Sequence, residues 1–109
     1  MPARKDIPQG TLDLLILRIL SREPMHGWGI MQRLRELTDE VFQVTPGSLF
    51  PALQRIEECG WASGKWAISE NNRKAKYYAI TRAGRRQLTV EQARWNTIAV
   101  AVARVLEGA

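Results

Sequence analysis

The residues best suited to chemistry in this sequence lie in one segment, residues 45–61, which reads TPGSLFPALQRIEECGW. Thr45 and Pro46 are a typical N-cap and first helical residue. Leu49, Leu53 and Ile56 recur at helical spacing, which predicts one buried face of a helix over residues 45–59. The other face carries residues that can enter a groove of DNA: Thr45, Gly47, Ser48, Phe50, Pro51, Gln54 and Arg55.

This arrangement suits nucleic-acid recognition because an α-helix fits the major groove of B-DNA and approaches base edges through its N-terminal turns. Gly47 and Ser48 allow close approach, and the N–H groups at a helix N-terminus can bind a phosphate. Gln54 and Arg55 have the reach for bases or for the DNA backbone.

Phe50 and Pro51 are unusual residues for the outer face of such a helix. The ring of Phe50 has three possible places: against thymine methyls or sugars, under a neighbouring hairpin, or in the core. Pro51 lacks an N–H group, so a helix tolerates it best within about its first turn.

Positive charge is concentrated just beyond this helix. The whole chain has a net charge of +5, yet residues 65–86 contain seven basic residues and the single acid Glu70. Such a segment attracts polyphosphate, although a solvated charged loop has the same composition. Within it, Arg73, Lys74 and Lys76 are predicted at a hairpin tip, where they contact flanking phosphates and add affinity with little sequence information.

The composition argues against an enzyme and predicts no metal or organic cofactor. One histidine and one cysteine are too few for a metal site of His and Cys alone, and the sequence has neither a Gly-rich phosphate loop nor an acid–base dyad. His26 is interpreted as a helix-start residue. Cys59 is predicted to be buried and inert, with redox sensing as the alternative. A single cysteine, no secretory signal and no apolar run of membrane-spanning length predict a cytoplasmic protein.

The elements around these residues follow from periodicity and punctuation. Residues 1–10 are predicted to form an arm, and helices are predicted over residues 11–22 and 26–38. After the third helix, residues 61–68 and 76–80 have the composition of two strands, and a last helix runs from Thr81 to about residue 106. This order predicts a mainly α (α+β) winged helix-turn-helix, with a DNA-binding domain over residues 11–80 and a dimerisation helix over residues 81–109.

The last helix is predicted to need a partner. At about 38 Å it is longer than the core of so small a chain, and its C-terminal half is nearly uncharged. We expect a symmetric homodimer that addresses DNA half-sites about 34 Å apart. The predicted interface residues lie near heptad spacing: Leu88, Trp95, Ile98, Val102 and Val105.

The four tryptophans divide into two groups. Trp28, Trp61 and Trp66 are interpreted as core residues. Trp95 lies on the helix predicted to dimerise, where two copies either bracket a small aromatic effector or serve only as interface anchors.

Four motifs, GTLDLLILRIL, HGWGIMQRL, TPGSLFPALQRIEECGW and KAKYYAITRAGRRQL, resemble the PadR family of bacterial transcriptional regulators over about residues 8–105. The resemblance implies a winged-helix repressor that dimerises through its C-terminal helix, binds a dyad-symmetric operator and is released by a small molecule or stress signal. It also implies roles for Ser48, Phe50 and Pro51 in recognition and for Lys74 and Lys76 in the wing.

Two departures from the family pattern accompany this resemblance. The family usually has tyrosine where this chain has Phe50, and larger relatives have a longer C-terminal domain than this single helix. The alternative function is a winged-helix protein-interaction module that does not bind DNA.

Overall fold

A computed structural model describes residues 7–108 of the chain. In that range the helices are α1 (Gln9–Leu20), α2 (Gly27–Leu37), α3 (Pro46–Glu58) and α4 (Arg82–Gly108). The strands are β1 (Met25–His26), β2 (Ala62–Ile68) and β3 (Lys74–Ile80). The predicted α+β winged-helix class is therefore confirmed. Most of the predicted arm, residues 1–6, lies outside the described residues, and α1 begins two residues before the predicted start at Thr11.

Helix α1 lies at the centre of the fold because its apolar residues recur along more than one face. Ile16, Leu17 and Leu20 are almost fully buried. Against them pack Ile30 and Leu34 of α2, together with apolar residues of α3. This shared core fixes the angle between α2 and α3, the two helices of the helix-turn-helix.

The connection between α2 and α3, residues 38–45, is held at its start by Thr38. Its hydroxyl donates to the carbonyl of Leu34 at 2.8 Å and accepts from the N–H of Phe42 at 3.1 Å. Asp39 and Glu40 both adopt left-handed backbone conformations, with φ of 53° and 66°, which are uncommon for residues other than glycine.

Helix α3 begins and ends where the sequence predicts. Thr45 is in the N-cap position and Pro46 is the first helical residue. At the other end Gly60 has φ of 79°. The N–H of Gly60 donates to the carbonyl of Glu57, and the N–H of Trp61 donates to the carbonyl of Ile56. These two bonds form a Schellman motif, which satisfies the last carbonyls of the helix.

The sheet is antiparallel, with strand order β1-β3-β2. Strands β2 and β3 form the wing, joined by a turn in which Asn72 has φ of 58°. Strand β1 pairs Met25 with Tyr78 and His26 with Tyr77. Two residues are too few to show a period of two, so the sequence did not predict this third strand.

Thr81 caps the start of helix α4, as predicted. The Thr81 hydroxyl accepts from the N–H of Gly84 at 3.0 Å and donates to the carbonyl of Gly60 at 2.6 Å, so it ties α4 to the end of α3. With 27 residues, α4 is about 40 Å long. Only its first turns pack on the core. None of the helices within the described residues, α4 included, has the length and apolar character of a membrane span.

Candidate nucleic-acid interface

Helix α3 has one buried and one exposed face. Leu49, Ala52, Leu53 and Ile56 are buried against the core, which holds the helix along its length. The opposite face is open to solvent and is composed mainly of small and polar residues with one aromatic ring. Six of the residues predicted to face DNA are exposed on it: Thr45, Gly47, Ser48, Phe50, Pro51 and Gln54.

Pro51 is the sixth helical residue after Thr45, so it lies just beyond the first turn, where a helix tolerates proline best. It has no N–H group, so no hydrogen bond runs from residue 51 to the carbonyl of Gly47.

The ring of Phe50 packs against the start of α2 and is 37% exposed. It meets the indole of Trp28 edge to face, with ring centroids 6.2 Å apart. A Cβ added to Gly27 would lie 2.5 Å from Cε1 of Phe50, so the ring occupies space that is open only because residue 27 has no side chain. The prediction that Trp28 is a core residue is wrong, because it is 63% exposed. Trp28 and Phe50 together form an exposed aromatic pair beside the outer face of α3.

Arg55, predicted as a DNA contact, points in another direction. Its guanidinium donates a hydrogen bond to Oδ1 of Asp13 on α1, and the Asp13 side chain is largely buried. Burial raises the pKa of Asp13 above its ordinary value of 3.8, and Arg55 offsets part of that rise. In this structure Arg55 is an internal anchor between α3 and α1 rather than an outward-facing cation.

The wing presents its cations at the turn. Arg73 and Lys74 are exposed, and neither forms an ion pair within the part of the chain that the structure describes. The Lys74 ammonium lies 5.9 Å from the centroid of the Trp66 ring, within cation–π range. Trp66 is 60% exposed, so its predicted place in the core is also wrong. The cause is that β2 continues past the edge of the helical core.

Lys76, the third predicted wing cation, is paired inside the molecule. Its Nζ donates to Oε1 of Glu57 on α3 at 2.8 Å. This hydrogen bond is the main reason that the pKa of Lys76 is raised above its ordinary value of 10.5. The predicted contact between Lys76 and phosphate competes with this pair.

His26 and Cys59 lie at helix ends, His26 as the N-cap of α2 and Cys59 as the C-cap of α3. Nδ1 of His26 accepts from the N–H of Gly29 at 3.0 Å, which confirms the predicted helix-start role. The prediction that Cys59 is buried is wrong, because it is exposed at the C-cap of α3. Among residues 7–108, no three His, Cys, Asp or Glu side chains come together as a metal site requires.

Helix α4 separates the predicted interface residues into two groups. Leu88 is 8% exposed and packs in the chain's own core, so its assignment to an interface between copies is corrected. The remaining predicted residues are exposed: Trp95, Ile98, Val102 and Val105. Val90, Val100 and Leu106 are also exposed apolar residues of this helix, and the heptad spacing did not include them.

Trp95 and Ile98 also line a small cleft between α4 and the start of α1, together with Leu14 and Arg94. The rest of its lining consists of Pro8, Gly10, Thr11 and Glu91. The cleft lies on the same side of α4 as two of the predicted interface residues.

Sequence reasoning missed several residues that organise this surface: Asp13, Gly27, Glu57 and Gly64. The carboxylates act through partners 42 and 19 residues away, and a single sequence shows no such pairing. Gly64 was the one detectable signal, because a glycine inside a strand often marks a close approach.

Comparison with known proteins gives a consistent result. The sequence profile of the Transcriptional regulator PadR-like family matches residues 16–90. The Escherichia coli Transcriptional regulator YqjI is 32% identical over 75 residues, which cover 69% of this chain and 34% of that protein. A Lysinibacillus sphaericus protein is 29% identical over 105 residues and is covered to 96%, as is this chain.

Solved structures share the fold. A PadR-like transcriptional regulator from Bacillus cereus matches with a TM-score of 0.79 and 30% identity, over 93% of this chain and 96% of that one. A Streptococcus mutans protein matches with a TM-score of 0.85 and 23% identity, over 97% of this chain and 95% of that one.

Proposed function

Since the chain belongs to the PadR-like family of transcriptional regulators, we propose that it is a ligand-responsive repressor that binds a palindromic operator as a homodimer in the cytoplasm. Regulators of this family bind DNA and are not enzymes. The observation that carries the proposal is the two-sided character of α3, which is buried along one face and open along a face of small and polar residues.

In this proposal the open face of α3 enters the major groove. Gly47 and Ser48 in the first turn approach base edges or a phosphate most closely, because they add little bulk and carry N–H groups at the positive end of the helix. Gln54, nearly two turns later, has the amide geometry that pairs with adenine. The proposed contacts on this face are Thr45, Gly47, Ser48, Phe50, Pro51 and Gln54.

The wing turn binds the flanking phosphates through Arg73 and Lys74. Both are exposed, and their charges are not neutralised by a carboxylate within the described residues. Each phosphate that they neutralise releases counterions, so they contribute affinity that falls as salt rises.

The dimer forms through α4. Its C-terminal half exposes apolar side chains on several turns, a pattern that an isolated helix in water does not favour. Pairing two copies through Trp95, Ile98, Val102 and Val105 covers this surface. It also places two α3 helices on one DNA duplex, with half-sites separated by about 34 Å.

Trp95 is the proposed contact for a small aromatic effector. Half of its surface is exposed, and it borders the cleft at the start of α1. A planar ligand stacked on its ring changes the packing of α4 and with it the spacing of the two reading helices. Tryptophan fluorescence with planar aromatic compounds tests this: quenching is expected in the wild type and not in Trp95→Ala. Equal quenching in both proteins contradicts the assignment.

Selection of bound DNA from a random pool tests the proposed function as a whole. The expected product is a palindrome with half-sites one turn of the duplex apart. Recovery of no enriched sequence, with a folded protein confirmed by circular dichroism, contradicts sequence-specific DNA binding. Enrichment of a single half-site without a repeat contradicts the dimer.

A further inference from the structure

Lys76 lies in a slot whose floor is Gly64. The two residues are on the same face of the wing, since Gly64 pairs with Tyr78 and Trp66 pairs with Lys76 across the strands. A Cβ added to Gly64 would lie 2.2 Å from Cε of Lys76 and 2.9 Å from Oε2 of Glu57. The missing side chain at position 64 is therefore what lets the lysine cross β2 and reach α3.

Three elements meet at the Lys76 ammonium. Glu57 of α3 accepts its hydrogen bond at 2.8 Å. The ring of Tyr78 on β3 lies 5.5 Å from Nζ, and β2 passes beneath it at Gly64. About a third of each partner's side chain is exposed, so water screens the pair only in part. We call the site formed by Glu57, Gly64 and Tyr78 the seat of the Lys76 ammonium.

The seat gives Lys76 a different character from its neighbours in the wing. Arg73 and Lys74 present charges that no carboxylate balances within the described residues, whereas the charge of Lys76 is balanced by Glu57. A phosphate placed at Lys76 would also meet the negative charge of Glu57. The pair as a whole is nearly neutral and adds little to the attraction of DNA.

The seat also joins the two parts of the proposed interface. Strand β3 pairs with β1 along its other edge, and Ala62 and Tyr78 are buried in the core, so the base of the wing is already fixed. The turn of the wing extends beyond this base, and any freedom that it has relative to α3 must be lost on binding DNA, at a cost in affinity. The contact between Glu57 and Lys76 reduces that freedom beforehand.

We propose that Glu57 and Lys76 are positioning residues, whose ion pair over Gly64 fixes the wing to α3 so that both engage one DNA site together. This inference rests on the proposed function, and it reassigns Lys76 from a phosphate contact to a strut between the two DNA-binding elements.

The sharpest test is Glu57→Gln, because the two possible roles predict opposite signs. If Glu57 is only a negative charge near DNA, its removal tightens binding. If it holds the wing, its removal weakens operator binding by about twofold to fivefold, as expected for a partly exposed ion pair. The matched control is Glu58→Gln, an exposed acid on the next position of the same helix; its binding is expected to be equal to or tighter than that of the wild type.

Lys76→Met and the charge-reversed pair Glu57→Lys with Lys76→Glu complete the test. Lys76→Met is expected to weaken binding as much as Glu57→Gln, with the dependence of log affinity on log salt unchanged. The reversed pair restores most of the affinity. A slope that falls by about one unit in Lys76→Met, with no rescue by the reversed pair, shows a phosphate contact and overturns the strut.

Hydrogen exchange of β2 and β3 amides in the free protein gives a readout that needs no DNA. Exchange is expected to rise in Lys76→Met and to return toward the wild-type rate in the reversed pair. Unchanged exchange contradicts the strut whatever the DNA result. Failure of the wild type to bind any selected DNA, by contrast, contradicts the proposed function and leaves the exchange result to decide on the strut.

Discussion

The guanidinium of Arg55 on α3 donates a hydrogen bond to the carboxylate of Asp13 on α1, 42 residues earlier in the chain. This contact joins α3 to the central helix α1 through a residue beside the buried apolar face of α3. Together with the pair formed by Glu57 and Lys76, it means that two of the cations predicted to bind DNA are joined to carboxylates of the chain itself.

Replacing Arg55 tests its role as an anchor. Arg55→Met leaves the largely buried carboxylate of Asp13 without this partner, so we expect the free energy of unfolding to fall by about 1–3 kcal/mol. Urea denaturation measures the change. Gln54→Met, at the adjacent exposed position, is the control and is expected to leave stability nearly unchanged. A large loss of DNA affinity in Arg55→Met with full stability would return Arg55 to the DNA surface.

Asp13 predicts a pH dependence of stability. Its pKa is raised above 3.8 in the folded protein, chiefly by burial. The folded state therefore keeps the proton to higher pH than the unfolded state, and the contribution of Asp13 to stability is fully present below pH 3.8. That contribution is lost as pH rises through the folded-state pKa.

The measurement is the free energy of unfolding of the wild type and of Asp13→Asn at pH 4 and pH 7. Comparing the two proteins at each pH isolates Asp13 from the other carboxylates. The wild type is expected to lose stability relative to Asp13→Asn on going to pH 7. A relative gain would mean that Arg55 outweighs burial and lowers the pKa.

Gly27 is predicted to be intolerant of a side chain. A Cβ there overlaps Cε1 and Cζ of Phe50, at 2.5 and 2.8 Å, so Gly27→Ala must displace the ring of Phe50 from its present position. We expect a loss of about 1–3 kcal/mol, as for other overpacked sites, and weaker DNA binding because Phe50 lies on the reading helix. Gly10→Ala is the control, since its Cβ meets nothing within 4 Å. Equal thermal denaturation midpoints for the two variants would contradict this packing.

Replacing Leu88 and replacing Val102 are predicted to have different effects, although the sequence pattern placed both residues in one interface. Leu88→Ala creates a cavity in the core and is expected to cost about 2–5 kcal/mol of stability. Val102 is exposed in the single chain, so Val102→Glu is expected to leave the fold intact and to shift the mass measured by light scattering from dimer to monomer. A dimeric Val102→Glu protein would contradict pairing through the C-terminal half of α4.

The backbone of the reading unit could be predicted because its signals are local. Thr45, Pro46 and Gly60 mark the ends of α3 by cap chemistry alone, and the spacing of Leu49, Leu53 and Ile56 identifies the buried face. Burial of the tryptophans could not be predicted, because it depends on where the core ends. Trp28 and Trp66 have the composition of core residues but lie beyond the edge of the core.

Partners of the charged residues could not be predicted for a similar reason. Arg55 and Lys76 have the reach of DNA contacts, and a linear sequence does not reveal that Asp13 and Glu57 lie beside them. A local rule finds the helix and the hairpin, whereas the three-dimensional arrangement decides which charges remain for DNA.

The open face of α3 and the wing turn are proposed to form one DNA-binding surface whose available cations include Arg73 and Lys74. The most direct test is a salt titration of operator affinity for the wild type and for the variant Arg73→Ala with Lys74→Ala. We predict weaker binding in the variant and a salt dependence reduced by about 0.9 unit for each phosphate that the variant no longer neutralises. Unchanged affinity and an unchanged slope would contradict this DNA-binding surface.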